Sequence, residues 1–512
     1  MVSVLTALAN ESSLAPDDTV DVLLNLAASR TSPPDLDDFI SLVSTATKYL
    51  QHNRFQVSLC NSMGLDTALR ILLISYTRLE NSTMHMDDVP SPDEDEAKQL
   101  SAMRSDMNQV LSDISALPEF AARCPVNSPM SSYLRKWLSS PQSQLQVCAC
   151  IMLGNLARSD TVCSEFVHTS RIHRPLMDIL TSATSSQILF AAIGFLKNLA
   201  LPPANKIELG NAGLIEILPR LWAMDTLPQI QYSAISLARQ LLIANYPNVV
   251  RINAPLSSDP DSPAHSKSRL SVLISLFSRT DAEPVRMEIA RTLAAVCRVL
   301  ASRSSSVADL QARRAEFFEK HRDIGTPLSF MVIQSKWPVV RSEGWFVLAL
   351  LARTEEGVQC VADIMHDIDV FTPLMELMTG KSFVERMSGS ALSSPTEQTT
   401  SLLSELVAAN SGGLNPAPAG AAGKEGKEAE MLRIDRENAL VLVSELLRQR
   451  GPTMALMRRT AFEDLLQGGG GLHLSYREGR RKEDVSPPPP VSSESAFMLD
   501  DMVRDSHTEM FD

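Results

Sequence analysis

Two asparagines hold the most informative spacing in this sequence. Asn155 lies in Leu153-Gly154-Asn155-Leu156-Ala157-Arg158. Asn198 lies in Phe195-Leu196-Lys197-Asn198-Leu199-Ala200, 43 residues further on. A carboxamide inside an otherwise apolar helix carries donors and an acceptor that need partners. It has two uses: bracing the backbone of a neighbouring helix, or hydrogen-bonding a ligand. Both are recognition chemistry, and neither makes or breaks a covalent bond. Lys197 and Arg239 are long and cationic, which favours a binding role; Arg239 takes the asparagine's place in the next long helical segment.

Motifs for covalent chemistry are absent from the sequence. There is no Gly-x-Gly-x-x-Gly, and Gly423-Lys424 runs into Glu425 without the upstream glycine of a phosphate-binding loop. His-Glu-x-x-His and Gly-x-Ser-x-Gly are also missing. His168 and His173 stand five apart, a poor spacing for two ligands on one helix face. Cys148 and Cys150 would point about 200° apart on a helix. Beside Ile151, Met152 and Leu153 they read as buried thiols rather than metal ligands. The expectation is a protein that is not an enzyme and needs no metal or cofactor.

One electrostatic feature stands out. Asp87, Asp88, Asp93, Glu94, Asp95 and Glu96 crowd a stretch with two prolines, 81–97. The plain reading is a solvated acidic loop. The sharper one is an attractor for a polybasic segment of a partner.

The elements that must position these residues are helices. Apolar residues recur at three, four and seven throughout, as in Leu36, Phe39, Ile40 and Val43. A short-long alternation repeats from Ser131 onward, with Asp160 as a candidate N-cap, Pro202-Pro203 as a stop and Gly210-Asn211-Ala212-Gly213 as a turn between repeats. A recurrence of about 43 residues is the period of armadillo and HEAT repeats. The predicted fold is therefore all-α, a right-handed armadillo/HEAT-like superhelix with a disordered C-terminal tail. In such a superhelix the third helix of each repeat lines the concave groove. Aligning the long helices gives a small column, Ala149, Ala192, Ser233, Gly344 and Ala439, and a second column, Asn155, Asn198, Arg239, Leu350 and Glu445.

The predicted layout is degenerate helical repeats over 1–80, the acidic loop at 81–97, armadillo repeats over 98–245 and a loop at 246–268. Further repeats follow over 269–378, then a flexible insertion at 379–429, C-terminal repeat helices over 430–467 and the tail at 468–512. Composition fits this. At 512 residues the chain exceeds one ordinary core, whereas a solenoid grows by adding repeats. Aromatics are only 5%, which favours helix-on-helix packing. A formal charge of -13 argues against nucleic acid as a partner. Seven scattered cysteines suit a reducing, cytoplasmic setting. No apolar run of transmembrane length occurs, so no integral membrane association is expected.

Several stretches resemble one family. Phe195 to Gly213, FLKNLALPPANKIELGNAG, is similar to a segment of the armadillo-repeat small-GTPase GDP-dissociation stimulators. LGNLARSDTVC (153–163), IQYSAISLARQLL (230–242), VVRSEGWFVLALLAR (339–353) and RENALVLVSELL (436–447) resemble their repeats. The resemblance implies a concave groove that binds Rho- and Ras-like GTPases, with preference for a prenylated, polybasic C-terminus. It implies GDP release stimulated by distortion of the GTPase's nucleotide site, or chaperoning, with no catalytic residue. It also implies that endomembranes are reached through the GTPase partners. The matching positions are Asn155, Arg158, Asn198, Asn205, Lys206 and Arg239. The alternative is an armadillo scaffold or adaptor without exchange activity. A nuclear-import receptor would need Trp four residues before each groove asparagine, where this sequence has Ile151 and Gly194.

Overall fold

In the computed structural model the described residues are 15–83, 94–302, 310–380 and 421–483. The chain divides into two compact units, 1–241 and 242–512.

In the first unit α1 (Thr19–Ala27) and α2 (Leu36–Tyr49) come before four three-helix repeats. The first is α3 (Asn53–Asn61), α4 (Gly64–Thr83) and α5 (Glu94–Ser115). The second is α6 (Pro118–Arg123), α7 (Pro129–Trp137) and α8 (Ser143–Leu156). The third is α9 (Asp160–Ser164), which continues as a π-turn over Glu165–Thr169, then α10 (His173–Ser182) and α11 (Ser186–Leu199). The fourth is α12 (Pro203–Asn211), α13 (Leu214–Trp222) and α14 (Pro228–Leu242). The third helices pack in series, α2 on α5, α5 on α8 and α8 on α11.

In the second unit the triplets are α15 (Tyr246–Asn253), α16 (Arg269–Arg279) and α17 (Glu283–Ala301); α18 (Leu310–Lys320), α19 (Gly325–Val332) and α20 (Pro338–Leu351); and α21 (Gly357–Ile364), α22 (Ile368–Thr379) and α23 (Ala421–Arg450). A final helix, α24 (Leu456–Glu483), follows. Here α17, α20 and α23 pack in series. Among the described residues no strand forms; one bridge between Pro255 and Ser268 closes the loop after α15. The fold is thus all-α and armadillo/HEAT-like, as the period implied.

Local chemistry sets the boundaries. Proline opens α6, α7, α12 and α20 in the first turn, where its missing N–H costs no helical bond. Gly213 adopts φ +92°, which a side chain would resist, and this lets α13 start three residues after α12 ends. The N-cap before α9 is Ser159, whose hydroxyl accepts from Val162 N at 3.3 Å; Asp160 is instead the first helical residue. A carboxylate there still favours the positive end of the helix dipole.

The column of small residues is a packing device. Ala149, Ala192, Ser233, Gly344 and Ala439 are all buried. At Gly344 an added Cβ would lie 2.8 Å from Val332 Cγ1 and 2.9 Å from Met331 Cβ, so α20 approaches α19 only because the side chain is absent.

Several boundaries differ from expectation. Helix α15 occupies the start of the stretch read as a loop at 246–268, capped by Asn245, whose Oδ1 accepts from Asn248 N. Helix α23 begins at Ala421, inside the stretch read as a flexible insertion; alanine, lysine and glutamate over 421–430 are strong helix formers. Helix α24 runs to Glu483, through the four glycines read as the start of the tail, because Gly469 packs against Met378 and Leu440. The rest of the expected insertion (381–420) and tail (484–512) lies outside the described residues.

A buried histidine gives the second unit a pH dependence. His321 is 3% exposed. Its ring nitrogens lie 3.3 Å from Ser268 Oγ and 3.5 Å from Ser271 Oγ, in the capping box of α16. Burial, reinforced by Lys320, pushes its pKa down from 6.5 to about 4. The folded state therefore holds the ring neutral while the unfolded state takes up a proton. Stability is full above pH 6.5 and falls as pH drops from 6.5 towards 4, by on the order of 3 kcal/mol. Denaturant titrations at pH 7 and pH 4.5 on wild type and His321→Gln should show the wild type losing more on acidification. Equal losses would contradict this assignment.

Candidate functional site

The candidate site is the exposed face of α8 and α11. Its residues form two parallel stripes at helical spacing. Gln144, Ile151 and Asn155 lie on α8, with Arg158 just beyond its end. Gln187, Phe190, Gly194, Lys197 and Asn198 lie on α11.

Hydrogen bonds tie the stripes together at both ends. Gln144 Nε2 donates to Gln187 Oε1 at 2.9 Å. Asn198 Nδ2 donates to Gly154 O at 3.0 Å. The pattern extends to the previous repeat. Asn108 Nδ2 on α5 donates to Gln144 O and Oε1, and Asn155 Nδ2 donates to Ser112 O at 3.3 Å and Ser115 Oγ at 2.8 Å. Arg158 Nη1 donates to Ala116 O at 2.9 Å. Each of these donors except Gln144 reaches a backbone carbonyl on a neighbouring third helix or at its end, and a carbonyl oxygen with two lone pairs accepts such a bond beside its helical one. The carbonyl acceptors also fix which way the amides of Asn155 and Asn198 point.

Of the two uses open to Asn155 and Asn198, their N–H groups serve the first: they brace the preceding repeat. Their oxygens meet no donor among the described residues, and both side chains are half-buried. Lys197 is half-buried and, like Lys206 and Arg239, engaged within the protein, and Arg158 is exposed at the same end of the face.

The other three residues expected in the groove sit elsewhere. Asn205 is fully buried and its Nδ2 caps the end of α11 through Leu199 O at 2.8 Å. Lys206 and Arg239 are only 6% and 9% exposed, and both are engaged within the protein. These three contribute to packing rather than to accessible surface.

Between the polar ends the face is apolar. Phe190 is 57% exposed, Ile151 and Ala191 are half-buried, and a Cβ on Gly194 would meet nothing within 4 Å. Neither α8 nor α11 contains an Asp or Glu. Cys148 and Cys150 are buried thiols in α8. Burial raises both, Cys150 to about 12, so each stays protonated and neither suits a metal. Among the described residues no cluster of His, Cys, Asp or Glu is arranged to hold a metal ion.

The acidic stretch is only partly visible. Asp87, Asp88 and Asp93 lie outside the described residues. Glu94, Asp95 and Glu96, read as loop, form the first turn of α5, where carboxylates favour the helix dipole. Asp95 pairs with Lys98 at 3.8 Å.

The sequence reading missed two features. One is the Asn108–Gln144–Gln187 ladder, although Gln144 and Gln187 share the 43-residue spacing of the asparagines. The other is a buried ion network in the second unit. Arg291 on α17 meets Glu343 on α20 at 2.9 Å and Glu288 at 3.5 Å, and Arg298 reaches Glu343 at 3.4 Å. Arg341 on α20 meets the fully buried Asp435 of α23 at 3.2 Å. Burial raises the Asp435 carboxyl, and the adjacent Arg341 opposes the rise.

The bracing role of Asn198 is testable. Asn198→Ala removes the donor to Gly154 O and should cost about 1–2 kcal/mol of stability in denaturant unfolding. Asn198→Asp, nearly isosteric but unable to donate when ionised, should cost at least as much. An unchanged midpoint for both would remove the brace from the account.

Comparison with known proteins gives partial likenesses. No family model matches the chain. Two curated relatives, Rap1 GTPase-GDP dissociation stimulators 1-A and 1-B of Xenopus laevis, are each 31% identical over 111 residues, 21% of this chain. The match covers only 18% of the length of these relatives. Among solved structures, an engineered protein aligns over 91% of this chain and 94% of its own at 16% identity, TM-score 0.48. A designed armadillo repeat protein in complex with the peptide (KR)4 aligns over 51% of this chain and 96% of its own, at 16% identity and TM-score 0.37. UNC-45 from Drosophila melanogaster aligns over 73% and 52%, at 12% identity and TM-score 0.37. Among the described residues no single helix is long and apolar enough to cross a membrane.

Proposed function

We propose that this protein binds small GTPases of the Rho and Ras type and promotes their release of GDP, chaperones them, or both. The observation that carries this reading is the 111-residue similarity to Rap1 GTPase-GDP dissociation stimulators. The α8–α11 face supports it with an accessible surface suited to a protein partner. It offers Phe190 and the open space over Gly194 for apolar contact, and Arg158 and the amide oxygens for polar contact.

Two parts of the reading sit in different places. A lipid on the partner's C-terminus needs apolar surface, and each buried CH₂ contributes roughly 0.8 kcal/mol. Attraction of a polybasic tail needs carboxylates. The helices α8 and α11 carry none, so that attraction belongs to the stretch from Asp87 to Glu96 rather than to this face. Exchange would proceed by distortion of the bound GTPase, without covalent chemistry by this chain, and in the cytoplasm.

The test uses prenylated and unprenylated Rho- and Ras-type GTPases loaded with fluorescent GDP. The protein should form a complex and shorten the lifetime of the GDP signal, more for prenylated forms and less at high salt. Absence of both complex and faster release across the panel would leave the scaffold role and remove the GTPase from it.

A further inference from the structure

A second surface lies in the second unit, where α22 and α24 run side by side and parallel. Phe371 meets Phe462 with ring centroids 5.7 Å apart, Gly469 abuts Met378, and Gly380 faces Leu472. Their N-terminal ends therefore share one corner. Ile368 lies one turn before Phe371, and Leu456 to Arg459 lie in the two turns before Phe462.

That corner concentrates exposed apolar surface. Met457 is 89% exposed, Leu456 79% and Ile368 63%; only Met63 of the first unit interrupts their rank among the large apolar side chains of the described residues. Leu442, Val443 and Leu446 of α23 and Phe462 and Leu465 of α24 are buried; α23 also exposes Leu432 and Ile434, but at 38% and 41% both are well below the side chains of this corner.

Charge flanks the apolar trio on two sides with opposite sign. On the α21 and α22 side stand Asp363, Asp367 and Asp369, all exposed. On the α24 side stand Arg450, Arg458 and Arg459, with no carboxylate between Glu445 and Glu463. Arg459 is shared with Glu463 at 2.8 Å, and Arg458 lies over the Phe462 ring at 5.8 Å, near Asp363. A partner for this corner must present an apolar centre with cations facing the aspartates and carboxylates facing the arginines. The same corner turned by a two-fold axis presents that arrangement, because an isologous contact sets each residue of one copy against its complement in the other.

We propose that this corner is a two-fold interface through which two copies of the chain associate. Ile368, Leu456 and Met457 form its centre, and the aspartates of each copy face the arginines of the other. The flanking charges set register and partner choice, while burial of the three apolar side chains supplies the attraction.

The experiment measures the mass of the full chain in solution by sedimentation across roughly 1 to 100 µM. A reversible dimer is expected. Leu456→Glu/Met457→Glu should be monomeric, with helix content unchanged and a melting midpoint equal to that of wild type at concentrations where it is dissociated, because neither side chain is in the core. Two charge-swapped variants sharpen the test: Asp363→Arg/Asp369→Arg and Arg458→Asp/Arg459→Asp. Asp367 is retained because its carboxylate caps α22. Each variant alone should be monomeric, since like charges then face each other, and an equimolar mixture should recover a dimer. A wild type that stays monomeric throughout, a dimer that survives Leu456→Glu/Met457→Glu, or swapped variants that remain apart when mixed overturns the proposal.

Discussion

Replacing Phe195 with alanine should destabilise the first unit by about 3–5 kcal/mol. Phe195 is 1% exposed at the centre of α11. Its ring stands edge-on to Phe166 of the π-turn, centroids 5.7 Å apart and planes at 82°. Its Cβ also lies against α8 at Gly154, where even a methyl group would come within 3.4 Å. The side chain thus fills the junction of three helices from two repeats. Truncation leaves a cavity that none of them closes alone, since α8 and α11 are already hydrogen-bonded at both ends of their shared face. Loss of this size is a large fraction of the 5–15 kcal/mol that holds a typical domain. Denaturant unfolding followed by far-ultraviolet circular dichroism measures it, with Phe195→Leu as the control that keeps most of the volume and costs less. A loss below about 1 kcal/mol would mean that the junction repacks and that the two repeats are not locked through this ring.

The same junction explains what was legible in the sequence. Asn155 and Asn198 announced the repeat through their spacing, and the small column at Ala149 and Ala192 announced close helix approach. Both follow from period alone. Which carbonyl each amide would meet was not legible, because the acceptors at Ser112 and Gly154 are backbone atoms that every residue possesses. Burial of Lys206 and Arg239 was hidden for a related reason: a long cationic side chain carries the same letter whether it reaches solvent or lies along its own fold. The second unit was harder to read because its period changes. The third helices α14, α17 and α20 begin at Pro228, Glu283 and Pro338, 55 residues apart rather than 43, and α17 has no member in the columns aligned from the sequence. The glycines at 468–471 argued for a helix stop on propensity, and only the contact of Gly469 with Met378 reverses that.

The largest loss expected in the second unit is from Arg291→Ala. The Arg291 side chain is 7% exposed, and it lies between Glu288, 2% exposed, and Glu343, 12% exposed. Removing it leaves two buried carboxylates, of which Glu343 retains Arg298 and Glu288 loses its pairing with Arg291. Breaking a buried pair from one side costs about 3–5 kcal/mol, because the surviving charge stays out of water with less compensation. The unfolding midpoint should fall by roughly 10 °C. The pH dependence separates this cause from simple loss of side-chain volume. In the variant the buried carboxylates that have lost this cation favour their protonated forms in the folded state, so the folded chain binds protons more readily than the unfolded one. Stability relative to wild type should therefore be lowest at neutral pH and recover as pH falls from 7 towards 5. Arg291→Ala/Glu288→Gln, which removes the cation and one carboxylate together, should recover part of the loss at pH 7 without any change of pH. A deficit that is constant between pH 7 and 5, and unchanged in the double variant, would assign Arg291 to packing and leave the network without an electrostatic role.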